Sequence, residues 1–131
     1  FHVVDDPSNT PVNKKVTAED VFNNIPSYLG LKQTSQSITA DGSSTTAVDV
    51  TSAVTEINAT SATHSCAMAD GSDGQIKIIL NTSTSGTNAI TITPANFTNT
   101  SITLNAAGES AICIFKSSKW YVIGGNGFTI A

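Results

Sequence analysis

The chain has 131 residues and a net charge of −4, its ten acidic residues set against six lysines and no arginine. Six scattered lysines make no basic stripe that could neutralise phosphates, so nucleic-acid binding is not expected; no apolar run is long enough to span a bilayer, so no membrane partner is expected either. Charged residues are only 12% of the total, about half the usual share, and threonine, serine and asparagine take their place, a composition that suits strands and turns better than helices.

The length suffices for one domain with a core of its own. Phe1-His2-Val3-Val4 reads as a short strand, the acidic, proline-punctuated residues 5–11 as a loop, and Val12 to Val16 as a strand that can pair back. Thr17-Ala18-Glu19-Asp20 resembles a capping box with Asp in place of Glu, and both carboxylates fall where the helix dipole favours them. The spacing of Val21, Phe22 and Ile25 then predicts a helix over residues 17–25 that Pro26 stops. Such a helix, about two turns long, is stable only when docked. Residues 1–35 are therefore read as an N-terminal docking segment.

From residue 36 the pattern changes to short alternating runs between turn signals, the mark of an all-β sandwich or barrel. Val48 and Val50 flank an outward Asp49, and residues 54–58 make a weaker strand. Ala62, His64, Cys66 and Met68 share one face of the next. After the turn Asp70-Gly71-Ser72-Asp73-Gly74, the alternation predicts Ile76, Ile78 and Leu80 inward with Gln75 and Lys77 outward. Residues 81–88 read as a polar loop. Ile90 with Ile92, then Ile102 with Leu104, form inward pairs, and Pro94 breaks the first of these ladders. Ala111-Ile112-Cys113-Ile114-Phe115 is an unbroken apolar run, read as a strand covered on both faces. Lys116-Ser117-Ser118-Lys119 turns the chain and Trp120-Tyr121-Val122-Ile123 brings it back, until Gly124, Gly125 and Gly127 end the strand. Residues 128–130 are a last short strand. The expectation is a mainly β chain: an antiparallel, jelly-roll-like β-sandwich over residues 36–131, with one short N-terminal helix.

Candidates for chemistry are few. His64 and Cys66 would share a strand face, but nothing nearby in sequence offers an orienting acid or an oxyanion donor, so a packed core histidine is favoured over a catalytic pair. Asp70-Gly71-Ser72-Asp73-Gly74 has too few ligands for a calcium loop and lacks the closing glutamate, Asn81 standing there instead. Cys66 and Cys113 have no partner at metal-ligand spacing and read as free buried thiols. The acceptor tripeptides beginning at Asn58, Asn81, Asn96 and Asn99 arise easily in a chain of this composition. No catalysis, cofactor or metal is expected.

Three segments together resemble a known group. Val3-Val4-Asp5-Asp6-Pro7-Ser8-Asn9-Thr10-Pro11, followed by Lys14-Lys15-Val16-Thr17-Ala18-Glu19-Asp20-Val21, resembles a module near the start of many bacteriophage virion proteins. Met68-Ala69-Asp70-Gly71-Ser72-Asp73-Gly74-Gln75-Ile76-Lys77 and Lys119-Trp120-Tyr121-Val122-Ile123-Gly124-Gly125-Asn126-Gly127 resemble recurring parts of small β-rich structural proteins of marine and cyanobacterial tailed phages. The resemblance implies a virion component that is either a capsid decoration (cement) protein or part of a tail fibre, often as a homotrimer. Its partner would be the major capsid protein or another virion protein. Decoration is preferred, because no repeated stalk segment or coiled-coil heptad is visible. On that reading Phe1, His2, Val3, Val4, Val21, Phe22 and Tyr28 are the candidate capsid or subunit contacts. The alternatives are a tail-fibre or receptor-binding domain and a secreted carbohydrate-binding β-sandwich, for which Tyr28 would be the free aromatic platform.

Overall fold

The structure, a computed structural model, describes the backbone of His2–Asp5 and Val12–Lys15 and all of residues 34–131 except 62 and 87. The chain divides into two units, Phe1–Lys32 and Gln33–Ala131. In the first, β1 (His2–Asp5) pairs antiparallel with β2 (Val12–Lys15), in a register running from His2 opposite Lys15 to Asp5 opposite Val12. The helix expected over residues 17–25, and with it Val21 and Phe22, lies outside the described residues, as do Phe1 and Tyr28.

The second unit consists of β3 (Ser35–Ala40), β4 (Thr46–Val48), β5 (Val54–Ala59), β6 (His64–Met68), β7 (Ile76–Asn81), β8 (Ile90–Pro94), β9 (Ile102–Leu104), β10 (Ser110–Lys116), β11 (Lys119–Asn126) and β12 (Thr129–Ile130). No helix occurs among the described residues. Sheet I has the order β11-β10-β7-β5-β3 and sheet II the order β12-β9-β8-β6-β4. The expected antiparallel pairing holds only in part, because both sheets are mixed. From β3 to β8 the chain alternates between them, so each strand lies parallel to the one two places earlier: β3, β5 and β7 in sheet I, β4, β6 and β8 in sheet II. Parallel neighbours need a crossover, and here a strand of the other sheet supplies it. After β8 the winding stops, and β9 to β12 close each sheet with antiparallel neighbours.

The two sheets share one apolar core. Ile38, Ile57, Ile79, Ala111, Cys113 and Phe115 enter it from sheet I, and Val48, Met68, Ile90, Ile92, Ile102 and Leu104 from sheet II. Trp120 is fully buried, donates its indole N–H to the Ala69 carbonyl (2.9 Å) and meets Phe115 edge-on with ring centroids 5.1 Å apart. A ring of that area with its polar edge satisfied is among the largest single contributions to the core. The β10–β11 hairpin turns through Ser117 (φ 51°) and Ser118 (φ 61°), the left-handed pair that a two-residue loop of matching twist requires. Asp73 holds this turn by accepting from the Ser117 amide (2.7 Å) and from the Lys116 ammonium. Gly124 and Gly125 do not end β11; the strand runs through them to Asn126 and ends before Gly127. Gly125 (φ +141°) lies so close to β10 that a Cβ there would overlap the Ser110 carbonyl oxygen and stand 2.9 Å from Ala111 Cα.

One strand has the opposite phase to that expected. In β7 it is Lys77, Ile79 and Asn81 that are buried, while Ile76, Ile78 and Leu80 face outward. Isoleucines occupy both phases here, so apolar alternation alone does not decide; the neighbours do. On one side Thr55 and Ile57 of β5 point inward, on the other Ala111, Cys113 and Phe115 of β10 must line the core around Trp120, and their registers with β7 bring Lys77, Ile79 and Asn81 to the same side. A one-residue slip would turn every side chain over. The buried polar groups of β7 are provided for: Lys77 Nζ donates to the Ser52 carbonyl (2.6 Å), and Asn81 Nδ2 donates to the carbonyls of Asn88 (3.0 Å) and Leu104 (3.3 Å). Residues 81–88 are accordingly more than a polar loop, since Asn81, Ser83 and Asn88 are buried, Ser83 Oγ accepts from the Ala59 amide and Asn88 Nδ2 donates to the Ala59 carbonyl at the end of β5.

Candidate functional site: the outer face of sheet I

With β7 in this phase, the outer faces of the two sheets differ sharply in chemistry. On sheet I the register aligns Ile76 with Ile114 and Tyr121, and Val54 with Ile78 and Ile112, with Leu80 beyond and Ile123 beside them at a β-bulge. Ile76 is 51%, Ile123 58% and Tyr121 38% exposed, and Ile78, Leu80, Ile112 and Ile114 are half-buried. A groove of about 430 Å³ lined by Ala53, Gly74, Ile76 and Ile78 opens on this face. On sheet II the outer row is Thr129, Thr103, Thr91 and Ser65, with Thr93, Ala67 and Ala47 beside it. One face is greasy and the other carries hydroxyls and methyls. This apolar patch, spread over four strands with Leu80 at its edge between Glu56 and Ser110, covers roughly 400 Å², the size of the largest patch on a typical single chain, which is often functional.

The run 111–115 was expected to be covered on both faces. Among the described residues only one side is: Ala111, Cys113 and Phe115 are buried, whereas Ile112 and Ile114 lie on the outer face. The periodicity marks these residues correctly as strand, and the outer side is the one left open among the described residues.

Most polar and titratable groups foreseen from sequence have structural partners, although the buried Nδ1 of His64 has none among the described residues. His64 is buried and its Nε2 lies 2.9 Å from Thr46 Oγ1, at a polar hollow of about 300 Å³ lined by Thr39, Ala40, Asp41, Ser44, Thr46, Thr60 and His64. Asp41 spends one carboxylate oxygen on the Ser43 amide (2.9 Å) and hydroxyl (2.5 Å), and those bonds, the hydroxyl's first, hold its carboxyl below the usual range. Cys66, on the same inward face as His64, is a free thiol that burial pushes up to about 11; Cys113, also free, is pushed up to about 12. Neither is a thiolate near neutrality, so neither is an activated nucleophile. Asp73 of the acidic turn engages Lys116 and Ser117, and Asp70 accepts from Asn96 Nδ2 (2.6 Å). No group of three or more potential metal ligands occurs among the described residues, and none of their helices could cross a membrane, there being no helix.

Of the foreseen contact residues, His2, Val3 and Val4 lie in β1 of the first unit, and the rest fall outside the described residues. Sequence reasoning missed the outer face of sheet I altogether. The signal available was Ile112 and Ile114 between Ala111, Cys113 and Phe115: apolar residues on both phases of one strand. No protein-family model matches this chain, and no curated protein matches its sequence.

Proposed function

We propose that the chain is a structural building block of a tailed-bacteriophage particle, most simply a capsid decoration protein that acts through contacts with the shell and between subunits. The observation that supports this reading is the two-faced construction of the Gln33–Ala131 unit, greasy on the outside of sheet I and hydroxyl-covered on the outside of sheet II. Such a body suits a role in which one face docks and the other meets water. The resemblance of the opening, middle and closing segments to phage structural proteins gives the reading its setting, with the major capsid protein or another virion protein as partner. Electron microscopy of the particle that carries this chain tests it. Density for the unit on the capsid surface is the expected result, and its absence from every part of the particle would refute the role.

A tail-fibre or appendage domain is the second reading, and one feature favours it. The absence of repeated segments spoke for decoration, yet β3 to β8 wind as successive parallel coils, with Gln36, Thr55 and Ile79 stacked in sheet I and Thr46, Cys66 and Ile92 in sheet II. Stacked coils are a way to build along an axis. Density at the tail instead of the shell would select this reading. A carbohydrate-binding role is less well supported: among the described residues Tyr121 is the one large exposed aromatic ring, and isoleucines surround it where a sugar would need polar partners.

A further inference from the structure

We infer that the outer face of sheet I is a self-association surface, covered by the same face of a second copy about a two-fold axis. The inference rests on the assembly role proposed above and names the partner of that surface. Three observations lead to it, and the first is chemical. The centre of the face, built from Ile76, Ile78, Ile112, Ile114 and Ile123, carries no charge, so an identical face brings no buried ion against it.

The second observation is the placement of charge at its corners. Glu56 on β5 stands exposed at one end, next to Leu80, and accepts a bond from the Ser37 hydroxyl. Lys119 on β11 stands exposed at the diagonally opposite end, opposite Lys116 across the hairpin. Lys116 is already engaged by Asp73, while Lys119 has no ion-pair partner among the described residues. Three strand spacings of about 4.8 Å and six residues of about 3.4 Å rise put Lys119 and Glu56 roughly 25 Å apart. The midpoint of that line falls between β7 and β10, among Ile76, Ile78, Ile112 and Ile114. A two-fold axis lying in the face, through that midpoint and across the line, sets each Lys119 against the Glu56 of the other copy. Two ion pairs then flank one apolar centre, and the strands of the two copies cross at a steep angle, within the orthogonal class of sheet packing. Opposite charges at opposite corners make this face complementary to itself, which is the requirement for a two-fold interface.

The third is area. The roughly 400 Å² apolar centre is about half of the ~800 Å² per partner that a specific interface needs. Ser35, Ser37, Thr39 and Asn58, on the same outer side of β3 and β5, supply a polar rim of the kind that surrounds such a centre.

Sedimentation equilibrium of the full chain over a range of concentrations tests the inference. A dimer is expected for the natural sequence. Ile112→Glu, which buries a carboxylate at the centre, should leave a monomer whose Trp120 fluorescence still reports a folded core. Lys119→Glu, at an exposed position, should weaken the dimer about tenfold by setting like charges face to face while Trp120 fluorescence still reports a folded core; Lys119→Glu combined with Glu56→Lys should recover most of that loss. A natural sequence that stays monomeric, an association unmoved by Ile112→Glu and Lys119→Glu, a charge exchange that recovers nothing, or a trimer would each overturn the two-fold arrangement. A monomer that is nevertheless found on a phage particle would sink this inference and leave the proposed role standing; a dimer found on no particle would do the reverse.

Discussion

Replacing Lys77 by methionine should stabilise the protein, although it removes a hydrogen bond. Lys77 is fully buried, and its ammonium donates to the Ser52 carbonyl at 2.6 Å. Burial holds the amine below its ordinary value of 10.5, and the negative charge of Asp49 offsets this only in part. Methionine has nearly the same length and no charge to desolvate, and exchanging buried charged groups for apolar ones of similar volume is neutral or favourable by up to a few kcal/mol. The low end applies, about 1 kcal/mol, because the Ser52 bond and Asp49 already recover part of the cost. In a folded unit of this size that is a rise in Tm of about 4–8 °C. The sign of the pH effect follows from the depressed value: the folded state binds fewer protons than the unfolded one, so the cost of Lys77 is complete below its folded-state value and is relieved as pH climbs towards 10.5. Urea unfolding followed by Trp120 fluorescence should therefore show the gain of Lys77→Met at neutral pH and its decline at pH near 10.5. A loss above about 1 kcal/mol that does not vary with pH would show that the amine is a net strut, and the reasoning would fail.

Three further outcomes are expected. Ile79→Ala should cost about 2–5 kcal/mol and Ile78→Ala under about 1 kcal/mol, measured by urea unfolding at concentrations where the chain is monomeric, since Ile79 is fully buried and Ile78 is not; equal costs would contradict the phase of β7. In the Lys77→Met background, stability should fall as pH rises from 9.0 towards about 11, because the unfolded chain ionises its thiols while Cys66 and Cys113 stay protonated in the fold; Cys66→Ala should flatten that slope in a pH series of thermal melts. Ser117→Asn with Ser118→Gly should raise stability by about 0.5–1 kcal/mol in the same unfolding assay, the two positions having φ of 51° and 61°.

Element identity was readable from the sequence because each short run is bounded by its own turn chemistry. The hairpin around Ser117 and Ser118, the buried Trp120, the inward set His64, Cys66 and Met68, and the pairs Ile90 with Ile92 and Ile102 with Leu104 all stand where the alternation put them. Pairing was harder. A hydrophobic period of two says which side a residue faces but nothing about direction, and the parallel winding of β3 to β8 depends on contacts between residues far apart in the chain, such as Gln36 beside Thr55 and Thr46 beside Cys66. The phase of β7 was misread for a related reason. Ile76, Ile78 and Leu80 make the cleaner apolar set, and only the neighbouring strands and the partners of Lys77 and Asn81 show that the other set is inside. The apolar outer face of sheet I depends on the same phase of β7, which apolar alternation alone does not reveal.

Solvent access to the isoleucine methyl groups, read by NMR with a soluble paramagnetic probe on a sample labelled at isoleucine, addresses the central claim most directly. At high protein concentration the methyls of Ile78, Ile112 and Ile114 should be shielded almost as well as those of Ile57 and Ile79, and dilution or Lys119→Glu should open the first group and leave the second unchanged. Methyls on the outer face that remain open to the probe at every concentration would contradict the account.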